Sequence, residues 1–251
     1  MARIFLINVG ANSDHYRNAR SPVFEDGTFV YTPFPLDDAV GHWPYPENAW
    51  PFTNGLEWHQ THCDPDWPQL TYGDNTHNPR ARALGGVEPG DTLLFWSMLC
   101  SNSGTCWHDF TGEKGWYLIG SLYVDEILCG GMSHRDAKPE NQTRASYNAH
   151  FVTEKLPEKD LVFIGTKAHS LLYEYAVPFV TGGFGESSLL YQAVRMSNGD
   201  RISLDNPRWV IPVRSCRAIC DLSLDDDLER ATLLRDAIKA KNEGFDLLGN
   251  T

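Results

Sequence analysis

His59, His62 and Cys63 stand close together, and Asp64 and Asp66 follow directly. Imidazole, thiolate and carboxylate are the usual ligands of zinc. Cys100, Cys106 and His108, in a second polar loop, could complete such a set. The spacing matches no standard finger or ribbon, so zinc is a candidate cofactor that the pattern does not favour. The plainer reading is two polar loops with ordinary hydrogen bonds. Cys106 and His108 also form the best local pair for nucleophilic catalysis, which needs a thiol or hydroxyl beside a base. Alternation along an extended segment would put both on one side. No third group is fixed to orient them, and a buried thiol beside a loop histidine explains the pair as well.

Two carboxylates, Glu25 and Asp74, are candidate catalytic groups, because a carboxylate can hold a base edge or move a proton. Neighbouring Asp26 is better explained by turn chemistry, since Asp26-Gly27 between apolar flanks predicts a hairpin. Tyr72, Trp107, Ser21 and Tyr117 form the candidate base-binding set. Aromatic rings stack on bases, but they also fill cores, and Trp96 inside an apolar run is read as core. Arg80, Arg82, Arg208 and Arg214 are candidates for phosphate contacts. The glycine-rich segments Gly85-Gly86 and Gly182-Gly183-Phe184-Gly185 match neither a phosphate loop nor a dinucleotide fingerprint.

The elements that must position these groups are mostly short strands. Residues 3–9 alternate like a first strand. Residues 33–58 carry five prolines and three tryptophans, which blocks helix interiors and central strands and predicts an ordered insert packed by its rings. Residues 61–80 are loop-like, with a short helix over Arg80–Leu84. Residues 89–99 and 116–124 are apolar runs bounded by turn residues, read as two buried strands. The loop 100–115 between them hangs at the mouth of the sheet. Residues 130–146 read as polar and mobile, 161–165 as a strand, 168–176 as a helix limited by Pro178, and 207–213 as a late loop or strand. Residues 222–242 are the clearest helix, with Leu224, Leu228, Ala231, Leu234 and Ile238 spaced for one face and Ser223 as the N-cap.

The chain has 251 residues and a net charge of −12, which argues against a broad basic face for duplex DNA. A local basic stretch at 195–217 is followed by an acidic one, and the acidic C-terminal helix is a candidate surface for a protein partner. Eight Trp, ten Tyr and twelve Phe leave surplus rings for stacking on flat ligands. No secretory leader and no apolar run of membrane-spanning length is visible, so no membrane partner is expected. Six scattered cysteines form no disulfide framework and point to a cytoplasmic protein with reduced thiols.

Several segments in order carry a family likeness. They are Ser-Pro-Val-Phe-Glu-Asp-Gly-Thr-Phe from Ser21, Thr-Pro-Phe-Pro from Thr32, and Thr61-His62 with Asp64-Pro65-Asp66-Trp67. Thr71-Tyr72-Gly73-Asp74, Pro89-Gly90-Asp91-Thr92-Leu93-Leu94-Phe95 and Tyr117-Leu118-Ile119-Gly120 follow. Val162-Phe163-Ile164-Gly165, His169-Ser170-Leu171-Leu172 and Ala176-Val177-Pro178 complete the series. Together, over about residues 3–215, they resemble the third of the nucleotide-modification-associated domain families. The resemblance implies a link to systems that make or handle modified bases in DNA, chiefly in bacteria and phages. The strand pair is also similar to the PUA, ASCH and EVE group of small barrels. No catalytic residues come with the resemblance, and the insert at 41–58 and the Cys/His loop at 100–115 depart from the pattern.

The resulting expectation is an α+β chain built round a PUA-like mixed β-barrel with flanking helices and a C-terminal helix. Residues 1–220 would form the domain, and 221–251 a helix and tail packed on it. Its function would be recognition or processing of a modified nucleobase in DNA, or of a modified nucleotide. The alternatives are a hydrolase or transferase acting on a free nucleotide through carboxylates or a metal, and a non-catalytic regulatory protein.

Overall fold

The computed structural model describes residues 2–11, 18–35, 43–55, 60–151, 153–196, 198–205 and 216–247. His59, Arg208, Arg214 and the segment 207–213 lie outside them.

Two long strands organise the molecule. β7 (Thr92–Asn102) and β8 (Phe110–Cys129) pair antiparallel along nearly all of β7. Both faces of this ladder are covered. Leu94, Trp96 and Leu118 enter one core, and Leu93, Phe95 and Ile119 enter the other. A strand buried on both faces has no polar side to show, which is why its sequence is a continuous apolar run rather than an alternation. β8 outlasts β7, so its two halves take different neighbours. Its first half pairs with β10 (Leu171–Val180) and its second with β9 (Asp160–Gly165), with a shift of register between Val124 and Glu126.

On the other side of β7, β1 (Arg3–Asn8) and β2 (Ser21–Val23) run parallel to it one after the other. β11 (Arg217–Asp221) extends the sheet beyond β1, and β6 (Thr71–Asn75) extends it beyond β9. A separate three-stranded sheet sets β3 (Phe34–Pro35) and β4 (Trp43–Pro44) on either side of β5 (Gln60–His62). The architecture is mixed α+β with a large, mostly antiparallel sheet and few helices. Isolated bridges at Val23–Phe29 and Thr28–Tyr175 bring β2 towards β10. The described strands form no closed barrel.

Four local expectations are corrected. Residues 168–176 are not a helix, because Leu171–Val180 forms β10. Leu171, Leu172, Tyr173, Val177, Phe179 and Val180 pack in the two cores, and Pro178 sits on a strand that pairs in the sheet with β8 alone, where a missing N–H is tolerated. The loop between β7 and β8 is shorter than 100–115, since the strands run on to Asn102 and start again at Phe110. Asp109 closes it by accepting the N–H groups of Thr105 and Cys106 at 2.8 and 3.0 Å. The C-terminal helix spans Asp225–Lys239, with Ala231, Leu234 and Ile238 buried but Leu224 and Leu228 exposed. Ser223 does not cap it: its hydroxyl donates to Asp221 at 2.6 Å, and Asp225, Asp226 and Asp227 occupy the first turn, where the helix dipole favours them.

The fourth correction concerns residues 130–146, which are ordered. A turn at His134–Asp136 leads into the short helix α1 (Gln142–Ser146). From α1, Arg144 donates to the carbonyls of Gln69 at 2.7 Å, Leu70 at 3.3 Å and Gly165 at 2.7 Å. This clamp holds the loop before β6, where Leu70 has a φ of 52°, a region that costs a branched side chain energy. Replacing Arg144 by Ala leaves three carbonyls without that donor. The variant is expected to lose about 2–3 kcal/mol in urea denaturation. Arg144→Lys should restore less than half of the loss, because an ammonium lacks the planar fork.

Candidate functional site

The residues with chemistry gather around β6. A cavity of about 200 Å³ is lined by His62, Asp64, Tyr72, Asp74, Arg80 and His150, among others. His62 comes from the end of β5 in the small sheet, where β3 sets the ring of Phe34 5.1 Å from its imidazole. The Pro/Trp-rich insert thus supports a site residue as well as packing on its own Tyr45 and Ala49. Asp64 follows in the connecting segment and is 3% exposed. A carboxylate this deep needs donors. Both its oxygens accept the Gly73 N–H, at 2.9 and 2.8 Å.

His150 arrives from the far side. The Asn148 side chain donates to Thr71 Oγ1 at 3.1 Å and accepts the His150 N–H at 3.0 Å, which fixes the turn. The imidazole then lies between two carboxylates. Nδ1 is 2.7 Å from Asp160 Oδ2, and Nε2 is 3.3 Å from Asp64 Oδ2. Asp160 is itself held by Asn75 Nδ2 at 2.6 Å, its direct partner across the β6–β9 ladder. Burial opposes charge on His150, but the hydrogen bond to Asp160 and the neighbouring Asp64 carboxylate outweigh it and push the pKa up to about 10. Burial also raises the Asp64 carboxyl, against the pull of His150 and His62. For His62 burial wins and lowers the imidazole, although Asp64 resists. The three side chains can offer one ligand atom each, all within 4.8 Å of one another.

The other face of β6 carries a second polar chain. The Tyr72 hydroxyl donates to Asp74 Oδ2 at 2.6 Å, and Arg80 Nη2 donates to the same oxygen at 2.9 Å. Arg80 also reaches the Asn8 carbonyl at 3.1 Å. Tyr72 stacks on Phe163 in the core, so its ring is packed while its hydroxyl faces the cavity. Burial, then the Asp74 charge, holds that hydroxyl far above its ordinary pKa.

Of the residues singled out from sequence, His62, Tyr72, Asp74 and Arg80 meet in this cavity. Cys63, next to His62, is a thiol pushed up to about 12 by burial and is outside the ligand cluster. Glu25 and Tyr117 line a different groove of about 780 Å³, with Ser101, Asn102 and Lys241. Ser21 is fully buried, away from this cavity's lining, and its Oγ accepts the Thr32 N–H at 3.0 Å. Trp107 lies under the Arg20 guanidinium, 4.3 Å from the ring centroid, and against Phe110. Cys106 and His108 sit in the turn closed by Asp109, and Arg82 is exposed at the start of a short 3₁₀ turn. His150, Asp160 and Asn148 escaped the sequence reading. His150 is far from Asp64 in the chain, and no local motif announces it.

These features define an α+β protein with a polar cleft of two histidines and two carboxylates beside a Tyr–Asp–Arg chain. The chain belongs to the nucleotide modification associated domain 3 family, whose model matches residues 3–233. All the cleft residues fall inside that match. Neither a curated protein nor a solved structure matches the chain. Among the described residues, no helix is long and apolar enough to cross a membrane.

Gly73 is the tightest point of the cleft. A Cβ there would overlap the His150 ring and come within 2.9 Å of Asn148 Oδ1. Gly73→Ala should therefore cost about 1–3 kcal/mol by overpacking and shift the His150 imidazole resonances in NMR. Gly86→Ala, whose Cβ would meet nothing within 4 Å, is the control, with a stability change of about 0.5 kcal/mol or less.

Proposed function

We propose that this chain is an enzyme of a DNA-modification system that processes a modified nucleobase or nucleotide in the His62–Asp64–His150 cleft. The observation that carries this reading is the convergence of His62, Asp64 and His150 from separate elements into one polar cavity, with Asp160 bracing His150 from behind. A module that only recognises a base needs a stacking ring and edge hydrogen bonds. It does not need two imidazoles and two carboxylates, which are the side chains of acid–base and metal-assisted chemistry. Family membership supports the substrate class.

The cavity's size narrows what enters. At about 200 Å³ it is smaller than pockets that enclose a drug-sized ligand, roughly 300–1,000 Å³. It accommodates one base or its sugar and leaves phosphates outside. A base in a duplex would have to be extruded to reach it. Asp74 is the candidate contact for an amino edge, held in place by Tyr72 and Arg80. In this arrangement Arg80 supports Asp74, and the acidic net charge favours a nucleotide or single strand over broad duplex binding.

Purified protein incubated with modified nucleosides, nucleotides and short oligonucleotides, read by mass spectrometry, tests the proposal. Wild type should form product, His150→Ala should lose roughly 100-fold or more, and Asp74→Asn should raise KM more than it lowers kcat. Trp107→Ala should behave as wild type. Salt-dependent oligonucleotide binding with no product from any substrate would favour the recognition module instead.

A further inference from the structure

The geometry points to a divalent transition-metal centre at His62, Asp64 and His150, with Asp160 as the residue that orients His150. The ligand set is two imidazoles and one carboxylate, a combination suited to first-row ions such as zinc or iron(II), not to magnesium or calcium. Ligand atoms about 2.1 Å from one tetrahedral ion stand roughly 3.4 Å apart. Asp64 Oδ2 lies 3.3 Å from His150 Nε2 and 3.6 Å from His62 Nε2. The remaining separation stays within 4.8 Å. Two of the three separations therefore already match the spacing that one ion imposes, and the third is short enough to close on it.

A second, independent observation concerns His150. Its side chain is 10% exposed, yet Nε2 has no properly directed hydrogen bond, despite its closeness to Asp64. A buried polar atom without a partner needs an explanation. Here the orphaned nitrogen lies 3.3 Å from Asp64 Oδ2 and within 4.8 Å of the His62 ligand atom. Its ring partner, Nδ1, is held by Asp160 at 2.7 Å, and Asp160 is braced by Asn75. A metal-bound histidine almost always has its other nitrogen engaged in this way by a carboxylate, carbonyl or water. Three protein ligands beside a cavity leave a position for water or substrate, the layout of a catalytic rather than a structural site.

The test uses the full chain and no substrate, so it stands or falls separately from the nucleotide reading. Chelator-stripped protein is titrated by calorimetry with Zn²⁺, anaerobic Fe²⁺, Mn²⁺ and Mg²⁺, and with Co²⁺ by visible absorption. One equivalent of a transition ion should bind at micromolar affinity or tighter, with Mg²⁺ far weaker. His62→Ala should weaken binding roughly 100-fold or more. The His62 ring is about a quarter exposed, so this variant keeps the metal-free melting temperature within a few degrees. Asp160→Asn should weaken binding about 10–100-fold, and Cys106→Ser should bind as wild type. The proposal is overturned if no transition ion binds, if His62→Ala binds as tightly as wild type, or if Mg²⁺ competes equally.

Discussion

The antiparallel ladder of β7 and β8 is the constraint on which everything else in this protein rests. It is buried on both faces, so it creates two cores rather than one. One core takes the C-terminal helix through Ala231, Leu234 and Ile238. The other takes Tyr72 and Phe163 from β6 and β9. Because β8 continues past β7, its far half is free to pair with β9, and β9 carries β6 at its margin. The cleft lies at the end of that succession. Its position follows from the extra length of one strand.

Within the cleft the governing cost is a buried charge. Asp64 is removed from water; the Gly73 amide donates to it, and the His62 and His150 imidazoles stand 3.6 and 3.3 Å from its Oδ2. Each of these neighbours belongs to a different part of the chain: β6, the end of β5, and the turn after α1. A buried carboxylate loses its stabilisation if any of these moves away. Asp64 therefore fastens the small three-stranded sheet to the large one, which explains how an irregular Pro/Trp-rich insert can hold His62 in a fixed place.

The sequence showed the strands better than the site. The runs at 89–99 and 116–124 were legible because burial on both faces leaves an uninterrupted apolar signature. Leu171–Val180 was not, since its Leu, Tyr, Glu and Ala residues fit a helix until tertiary pairing with β8 decides for the strand. The order of polar side chains at Thr71–Asp74 pointed to half of the cleft. His150 and Asp160 were hidden because they reach Asp64 and Asn75 only through the pairing of β6 with β9. Asp109 shows the converse. It lies in the loop richest in reactive side chains, and its carboxylate is occupied in closing a turn.

β6 contributes to the cleft from both of its sides. Tyr72 and Asp74 project one way, and Gly73, between them, gives its bare backbone to Asp64 and His150 on the other. Side-chain direction in a strand reverses at every residue. A slip of one position against β9 would exchange the two sides, driving a carboxylate or a phenol into the space of the His150 ring. The cleft thus favours its own strand register: the observed alignment of Thr71–Asn75 on Asp160–Gly165 places the one residue without a Cβ opposite the imidazole.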